Sequence, residues 1–258
     1  MSRPTLIVTG ASRGIGKSIV QLAIRNLDAN VIGIARSRDA LEQISQELAT
    51  SQLADRFKFV VGDIVDEPTA EEAVNTAKKS WSGQIDGLVV NAGVIDPLST
   101  IANSSVNQWK ENFNVNFFSV LTLVQLALPS LRQSNGRVIL VSSGAANNTY
   151  HGWGAYCTAK AALKMFGETL AKEESQVTTV SIRPGIVDTE MQAVIREKGQ
   201  GNMTPGQHAD FIGFHTNKKL LHPDEPGHVI AALAVGGPSS LSGQFLSWDD
   251  EGLKAYRK

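Results

Sequence analysis

The sequence predicts an α/β fold, a doubly wound parallel sheet of about seven strands with helices on both faces. Short runs rich in Val, Ile and Leu, without alternating polar residues, are typical of strands covered on both faces. These runs alternate with longer helical patterns, which is the order of right-handed βαβ units. With 258 residues and 42% hydrophobic content, the chain can bury one core, so we expect a single domain over residues 1–258.

Seven strands and five helices are predicted in alternating order. The strands are predicted at residues 5–9, 30–35, 57–62, 87–91, 136–142 and 178–182, with a last one near 244–247. The helices are predicted at residues 15–27, 37–50, 68–81, 106–131 and 155–174. Ligands of such sheets bind beyond the carboxyl ends of the strands, so the residues that close each strand are where a site is expected.

Residues 190–226 do not fit this alternation. They carry glycines, prolines and mixed charges around a broken helical pattern. We interpret this segment as a lid that covers the substrate, because long loops in compact domains are usually functional or disordered. A surface excursion without function is the alternative.

Composition and charge favour a small-molecule ligand over a macromolecule. The formal net charge is -1, so no excess of positive charge is available to hold a nucleic acid. Cys157 is the only cysteine, which excludes an intrachain disulfide. The sequence contains no run of about 20 apolar residues, so no membrane partner is expected. We also expect no metal site, and cytoplasm is the default location.

A glycine-rich loop follows the first predicted strand and opens the first predicted helix. Backbone N–H groups and the helix dipole at such a point hold a pyrophosphate, and glycines let the backbone approach it closely. The three glycines are spaced GxxxGxG, which differs from the common GxGxxG pattern, and a tight turn without a ligand is the alternative. The residues predicted to bind a cofactor here are Thr9, Gly10, Ser12, Arg13, Gly14, Ile15 and Gly16.

The end of the second predicted strand indicates which dinucleotide is bound. A carboxylate there would accept from a ribose 2′-hydroxyl and repel a 2′-phosphate, but the sequence has Arg36 and Ser37. Arg13 reaches the same ribose, so two guanidinium groups favour NADP(H). Alternatively, Ser37 only caps the next helix and the arginines are solvated. At the end of the third strand, Asp63 and Ile64 follow Gly62; the Asp63 carboxylate accepts from the adenine amino group or forms an Asx turn.

Tyr156 and Lys160 are four residues apart in a helical pattern, so both project from one helix face. A phenol with a pKa of about 10 is a poor acid–base catalyst at neutral pH, but an adjacent ammonium favours the phenolate and lowers that pKa. We therefore expect Tyr156 to give a proton to a developing alkoxide. An ordinary amphipathic helix face with an extended lysine is the alternative.

Two further polar residues are placed to join this pair. Ser143 follows the fifth predicted strand, where a hydroxyl can hydrogen-bond a substrate carbonyl oxygen. Asn116 lies inside a long predicted helix, where asparagine has modest propensity and needs a reason. Holding a water molecule in a proton relay to Lys160 is one reason, and a helix–helix contact is the alternative.

Five motifs occur in one order along the chain, and together they resemble the short-chain dehydrogenase/reductase family from residue 5 to about residue 191. The matching residues are Thr9, Gly10, Gly14 and Gly16; Asn91, Ala92 and Gly93; Asn116; Ser143, Tyr156 and Lys160; and Pro184, Gly185, Val187 and Thr189. Ser143 precedes Tyr156 by thirteen residues, as the serine of the family does. Ser119 is a departure, because glycine is more usual there.

This resemblance implies a Rossmann fold, an NAD(P) cofactor and a role for each matching residue. Tyr156 is then the proton donor in carbonyl reduction, Lys160 lowers its pKa and binds the nicotinamide ribose, Ser143 orients the carbonyl, and Asn116 holds the relay water. The segment at residues 91–93 supports the cofactor, and residues 184–189 contact the nicotinamide carboxamide. The cofactor supplies the hydride. Arg13 and Arg36 match positions used by NADP-preferring members.

The segments around Trp153 and Met191 resemble sepiapterin reductase and the bacterial and fungal benzil reductases. Trp153 is predicted to form an aromatic wall for a planar dicarbonyl substrate, and core packing is the alternative. Met191 belongs to a predicted apolar wall. Asp250 loosely matches the aspartate that anchors the pterin in sepiapterin reductases. We expect a reductase of small ketones or α-dicarbonyls, with pterins as a further option.

A catalytically silent NADP-binding sensor or structural relative is the competing interpretation. Such relatives usually lack the tyrosine or the lysine, and both are present here. The family pairs its subunits through the helices predicted at residues 106–131 and 155–174, so the resemblance also implies a homodimer.

Overall fold

A computed structural model describes residues 3–257, which contain a seven-stranded, fully parallel sheet in the order β3-β2-β1-β4-β5-β6-β7. The strands are β1 (Thr5–Thr9), β2 (Asn30–Ala35), β3 (Phe57–Val61), β4 (Gly87–Val90), β5 (Arg137–Val141), β6 (Thr178–Arg183) and β7 (Phe245–Ser247). The predicted fold class is confirmed. Residues 1, 2 and 258 of the predicted domain lie outside the described residues.

Helices cover both faces of the sheet. They are α1 (Gly14–Asn26), α2 (Arg38–Ala49), α3 (Glu67–Lys78), α4 (Val106–Phe113), α5 (Ser119–Ser134), α6 (Gly154–Glu173), α7 (Glu190–Lys198), α8 (Pro205–Thr216) and α9 (Asp224–Gly236). Successive strand residues point to opposite faces, so Leu6 and Val8 pack with α1, α2 and α9, whereas Ile7 packs with α3, α5 and α6. Two apolar layers therefore hold the sheet between them.

Helix α9 was not predicted from the sequence. Pro226 and Gly227 near its start are typical helix breakers, but proline is tolerated in the first turn. Gly227 lets α9 approach α1, because a Cβ atom at this position would lie 2.5 Å from the Ser18 hydroxyl oxygen. The segment at residues 190–226, predicted as a broken helical pattern, contains α7, α8 and the first turn of α9.

The helix predicted at residues 106–131 is interrupted. Between α4 and α5, residues Asn114–Phe118 form a π-helical turn, which inserts one extra residue into the helical ladder. Asn116 lies in this turn and is fully buried. The π-helical turn therefore contains Asn116, the asparagine whose position inside a predicted helix required an explanation.

By length and composition alone, the continuous helical segment Val106–Ser134 could cross a membrane, which differs from the sequence expectation. The core helix of a globular protein passes the same test. Helix α5 packs against α3 and β4, and 44% of the apolar window is buried inside the protein. The segment therefore has the contacts of a core helix.

Candidate active site

The glycine loop is tied to the end of β4 by a buried threonine. The Thr9 hydroxyl oxygen accepts hydrogen bonds from the backbone N–H groups of Asn91 and Ala92, both at 3.0 Å. The Asn91 amide donates to the Thr9 carbonyl oxygen at 3.0 Å. A Cβ atom at Gly16 would lie 2.1 Å from the Gly10 carbonyl oxygen, so helix α1 starts against the loop itself. This bare, fixed backbone fits a dinucleotide pyrophosphate at the start of α1.

The chain after β6 closes the other side of this loop. The Thr189 side chain would contact a Cβ atom at Gly14 at 3.2 Å. Gly185 has a φ of +80° beside the Trp248 indole, and Val187 is buried and pairs with Leu221. Between α1 and α7 lies a groove of about 650 Å³. The segment at residues 184–189 therefore lies over the loop predicted to hold the cofactor.

Both arginines predicted to bind a 2′-phosphate are paired with carboxylates. The Arg13 guanidinium contacts Glu190, the first residue of α7. An Arg36 nitrogen lies 3.6 Å from an Asp63 carboxylate oxygen. All four side chains are at least one-third exposed, so these are weak surface ion pairs that a stronger anion can displace.

Ser37 and Asp63 both make the local contacts that were the alternatives to cofactor binding, a helix cap for Ser37 and an Asx turn for Asp63. The Ser37 hydroxyl caps α2 by accepting from the Ala40 N–H at 3.4 Å. Asp63 forms an Asx turn by accepting from the Val65 N–H at 3.2 Å. Neither contact uses the whole side chain, so a second role at the nucleotide site stays a prediction for both residues.

Two of the residues predicted to bind the cofactor are apolar and pack against the core. Ile64 is buried in the layer around α3, so any contact of Ile64 with a cofactor would be made mainly by its backbone. Ile15 is partly buried and packs against the layer beside α1. Ser12 is partly buried within the glycine loop.

Tyr156, Lys160 and Ser143 meet at the carboxyl edge of β5. Tyr156 and Lys160 lie on one face of α6 and are 6% and 4% exposed. The Lys160 ammonium lies 5.6 Å from the centroid of the Tyr156 ring and donates to the Val141 carbonyl oxygen at 3.0 Å. Ser143 lies within hydrogen-bonding reach of the Tyr156 phenol, and its oxygen also accepts from the Ala145 N–H at 3.1 Å.

Burial sets the protonation of this group. It raises the pKa of Tyr156 to about 12, and the hydrogen bond with Ser143 opposes part of that rise. It also lowers the pKa of Lys160 to about 8, because the ammonium is taken out of water. The sequence predicted a lowered pKa for Tyr156, and the structure of the protein alone gives the opposite direction. The site therefore holds a protonated phenol at neutral pH.

Asn116 is fixed by four hydrogen bonds rather than packed as a generic helix contact. Its amide donates to the carbonyl oxygens of Val94 and Asn112, at 2.8 and 3.1 Å, and to the Asn112 side-chain oxygen at 3.0 Å. Its own oxygen accepts from the Val94 N–H at 3.2 Å. A Cβ atom at Gly93 would lie 2.9 Å from this oxygen and 3.6 Å from the Lys160 ammonium. The Asn116 side-chain oxygen and the Lys160 ammonium therefore both lie close to Gly93.

Trp153 lies in an aromatic and apolar cluster next to Tyr156. Its ring stacks on Tyr150 at 4.6 Å, meets the edge of Tyr156 at 5.9 Å and lies 5.4 Å from Phe211 of α8. The remaining members come from the loop after β4, the turn after β5, α6 and the segment at residues 190–226: Ile95, Leu98, Ala145, Cys157, Met191, Val194, Ile195, Met203 and Phe214. Trp153 is only 5% exposed, so it is packed in the core, and its ring also lies beside the Tyr156 ring.

Asp250 is engaged in a local turn after β7. Its carboxylate accepts from the Ser247 N–H at 2.7 Å. The Asp250 carbonyl oxygen accepts from the Arg257 guanidinium. The structure gives this carboxylate a structural partner, and substrate contact by Asp250 stays a prediction.

Fold and site together define a short-chain dehydrogenase. The sequence profile of the short chain dehydrogenase family matches residues 4–200, and the chain belongs to this family. It is therefore an oxidoreductase with a nicotinamide cofactor, of a family that acts on CH–OH and C=O groups of small molecules. Among residues 3–257 there is no cluster of His, Cys, Asp and Glu that could hold a metal ion.

Within the family, the chain is similar to yeast oxidoreductases. It is 44% identical to an uncharacterized oxidoreductase of Saccharomyces cerevisiae over 97% of this chain and 98% of the relative. The crystal structure of that protein superposes with a TM-score of 0.93 over 99% of this chain and 100% of that one, at 43% identity. The (S)-benzoin-forming benzil reductase of S. cerevisiae is 40% identical over 96% of this chain and 97% of the relative. These relatives place the chain close to the benzil reductase type.

A further crystal structure is described as a cytoplasmic protein of unknown function from S. cerevisiae. It is 41% identical and superposes with a TM-score of 0.81 over 99% of this chain and 100% of that one. The yeast likeness thus extends over the whole chain, including the segment at residues 190–226.

Sequence reasoning missed several residues of the site. Asn112 holds Asn116 and lies four residues before it, a spacing that places both on one helix face. Tyr150 and Met203 belong to the aromatic cluster, but their sequence positions carry no pattern that joins them to Tyr156. Glu190 was seen only as part of a resemblance, because an ion pair across the fold leaves no local signal.

Proposed function

We propose that this protein is an NADPH-dependent carbonyl reductase that converts small ketones or α-dicarbonyls into secondary alcohols. The observation that carries the proposal is geometric: the buried Tyr156 phenol lies at the carboxyl edge of the sheet, beside a lysine, a serine and an aromatic cluster. The phenol holds the proton that reduction requires, and the nearby Lys160 ammonium stabilises the phenolate that forms as the proton leaves.

In this mechanism, Tyr156 gives its phenolic proton to the oxygen of the substrate carbonyl as negative charge develops there. Ser143 donates a hydrogen bond to the same oxygen and holds the carbonyl in place. The Lys160 ammonium, held by the Val141 carbonyl oxygen, stabilises the phenolate that is left. Asn116 positions a water molecule beside Lys160. A proton returns from this water, through Lys160, to the tyrosine. NADPH supplies the hydride when bound.

The residues proposed to hold NADPH are those around the glycine loop and the ends of the next strands. Thr9, Gly10 and Gly16 leave a bare backbone for the pyrophosphate, which the hydrogen bonds to Asn91 and Ala92 keep in shape. Arg13 and Arg36 supply the positive charge for the 2′-phosphate. The absence of a carboxylate at positions 36–38, immediately after β2, supports NADPH over NADH.

An α-dicarbonyl such as benzil is the substrate class that the site supports best. Trp153, Tyr150 and Phe211 form an aromatic cluster next to Tyr156. Trp153 and Phe211 are buried in this cluster, and Tyr150 is partly exposed, so an aromatic ring of a diketone can pack on the Tyr150 side of the cluster. The likeness to the yeast benzil reductase supports the same class. A pterin is less well supported, because Asp250 matches the pterin-anchoring aspartate only loosely, and one of its carboxylate oxygens is bonded to the Ser247 N–H.

Residues 190–226 act as the substrate lid in this proposal. Met191, Ile195 and Phe211 of this segment pack in the cluster that contains Trp153 and Tyr156. A substrate carbonyl at Tyr156 would therefore be covered by α7 and α8. We also propose a cytoplasmic location, supported by the description of the yeast structure.

A screen of NADPH oxidation tests the proposal. The protein is mixed with benzil, aliphatic diketones, quinones, sepiapterin and simple ketones, and absorbance at the NADPH band is followed, with NADH as the control. We expect turnover of benzil and aliphatic diketones, at rates that exceed those with NADH by at least about tenfold. Equal rates with both cofactors would contradict the NADPH assignment, and turnover of sepiapterin alone would contradict the substrate class.

A further inference from the structure

The first residue of α7 is in contact with the loop that binds the nucleotide. Thr189, immediately before α7, lies against Gly14, and the Glu190 carboxylate pairs with the Arg13 guanidinium. At the other end of α7, the Lys198 ammonium lies 3.2 Å from an Asp96 carboxylate oxygen. Helix α7 is thus attached to the glycine loop by its N-terminal end and to the loop after β4 by its C-terminal end.

The Glu190 carboxylate forms an ion pair with Arg13, the arginine proposed to bind a 2′-phosphate. Among residues 3–257, Glu190 is the ion-pair partner found for Arg13. A phosphate carries more negative charge than a carboxylate and has more acceptor oxygens, so it can take the guanidinium over. Both side chains are more than half exposed, so the exchange changes affinity by a small factor.

We propose that Glu190 determines how strongly the nucleotide site prefers a 2′-phosphate, because its carboxylate competes with that phosphate for Arg13. This inference rests on the proposed NADPH preference. It also links the two halves of the site, since taking Arg13 away from Glu190 removes one of the attachments of α7.

A purely structural role is the competing explanation for Glu190. An acidic residue in the first turn of a helix is stabilised by the helix dipole. Loss of that effect would loosen α7 and alter the binding of every nucleotide to a similar degree. A phosphate-specific change therefore separates the two explanations.

Calorimetric binding of two nucleotides to Glu190→Gln tests the inference without using activity. The ligands are adenosine 2′,5′-bisphosphate and 5′-AMP, which differ only in the 2′-phosphate. We expect the Kd of the bisphosphate to fall by about two- to fivefold, as expected for removal of a competing surface ion pair, while the Kd of 5′-AMP is unchanged. The gain should shrink in high salt, because exposed charges are screened.

Glu197→Gln is the matched control. It makes the same charge change on the same helix, about two turns away from Glu190, and Glu197 is exposed. The control should leave both Kd values unchanged. An equal gain in the control, or an equal shift for both ligands in Glu190→Gln, would overturn the inference.

A second cycle tests whether Arg13 carries the effect. In an Arg13→Gln background, Glu190→Gln should no longer strengthen bisphosphate binding, and a full gain there would overturn the inference. The proposed NADPH preference fails separately: wild-type protein would then bind the two nucleotides equally. If the wild type prefers the bisphosphate and Glu190→Gln changes nothing, only the role of Glu190 is wrong.

Discussion

Burial shifts the pKa values of Tyr156 and Lys160 in opposite directions. The neutral form of each is favoured, which keeps the phenol protonated and brings the pKa of the lysine down to about 8. At pH 7 the pair consists of a phenol and, for the most part, an ammonium. That combination can donate a proton and then stabilise the charge left behind.

Lys160 should make the stability of the protein depend on pH. The pKa is about 8 when folded, against about 10.5 for an unfolded lysine. Between these values the unfolded chain binds more protons, so stability rises with pH. From pH 8 to 10, the wild type should gain about 2 kcal/mol of unfolding free energy relative to Lys160→Met. Urea titrations across this range measure the difference.

Lys172→Met is the control for this experiment. Lys172 lies on the same helix but is exposed. Its difference from the wild type should stay constant over the same pH range. A constant difference for Lys160→Met as well would show that burial does not lower the pKa of Lys160.

Asn116 should be a large contributor to stability for a single polar residue. The Asn116→Ala change removes four hydrogen bonds, and the side-chain oxygen of the buried Asn112 and the partly buried Val94 N–H lose the partner that Asn116 supplies. We expect a loss of about 2–4 kcal/mol in the free energy of unfolding. Asn114→Ala, in the same π-helical turn but exposed, should cost less than about 0.5 kcal/mol. Similar losses for both variants in urea unfolding would contradict this account.

At the scale of elements, the start of α1 packs so closely against the glycine loop that a side chain at position 16 does not fit between them. A methyl group at Gly16 would overlap the Gly10 carbonyl oxygen at 2.1 Å and the Asn91 amide at 2.6 Å. Gly16→Ala should therefore lower the free energy of unfolding by about 1–3 kcal/mol. It should also weaken nucleotide binding, because the loop must open.

The control for the loop is Gly206→Ala in α8. A Cβ atom there would have nothing within 4 Å among the described residues. This variant should match or exceed wild-type stability, since alanine favours a helix. Thermal unfolding with and without 5′-AMP compares the two variants, and an unaffected Gly16→Ala protein would refute the proposed close packing.

Elements with a strong periodic signal were predicted well from the sequence. The first six strands contain short runs rich in β-branched residues, and all seven are found within about one residue of the predicted bounds. Helix α9 was missed because Pro226 and Gly227 read as a loop, although burial against α1 overrides their low propensity. The π-helical turn at Asn114–Phe118 was missed because it depends on the hydrogen bonds of Asn116 with the loop after β4.

At the scale of the whole molecule, the helices beyond one edge of the site expose an apolar surface. Phe118 is 51% exposed and Met165 is 62% exposed. The elements that carry them are joined by the rings of Phe117 and Phe166, whose centroids lie 6.0 Å apart. Exposed large apolar side chains on packed elements are candidates for an interaction surface.

We predict that this surface joins two copies of the chain. The 27.7 kDa protein should then have a mass of about 55 kDa by light scattering. Phe118→Asp combined with Met165→Asp should give monomers, because charge is placed in the apolar contact. Val65→Asp, at an exposed apolar residue after β3, should leave the dimer intact. A monomeric wild type would contradict the prediction.

The location of the site followed from the sequence, but its electrostatics did not. In a doubly wound sheet, residues that close the strands meet at one edge, so topology placed Ser143 there, and the family resemblance added Asn91. The pKa of Tyr156 depends on how deeply the phenol is buried, and the pairing of Arg13 depends on where α7 lies. Both are set by contacts between residues far apart in the chain, for which local patterns carry no information.

The central claim is that the Tyr156 phenol gives the proton during carbonyl reduction. Single-turnover oxidation of bound NADPH by benzil, compared between wild type and Tyr156→Phe, tests it most directly. The variant should lose about 10²–10⁴-fold in rate while its Kd for NADPH stays within about twofold. A variant that binds NADPH normally and reduces benzil at the wild-type rate would contradict the account.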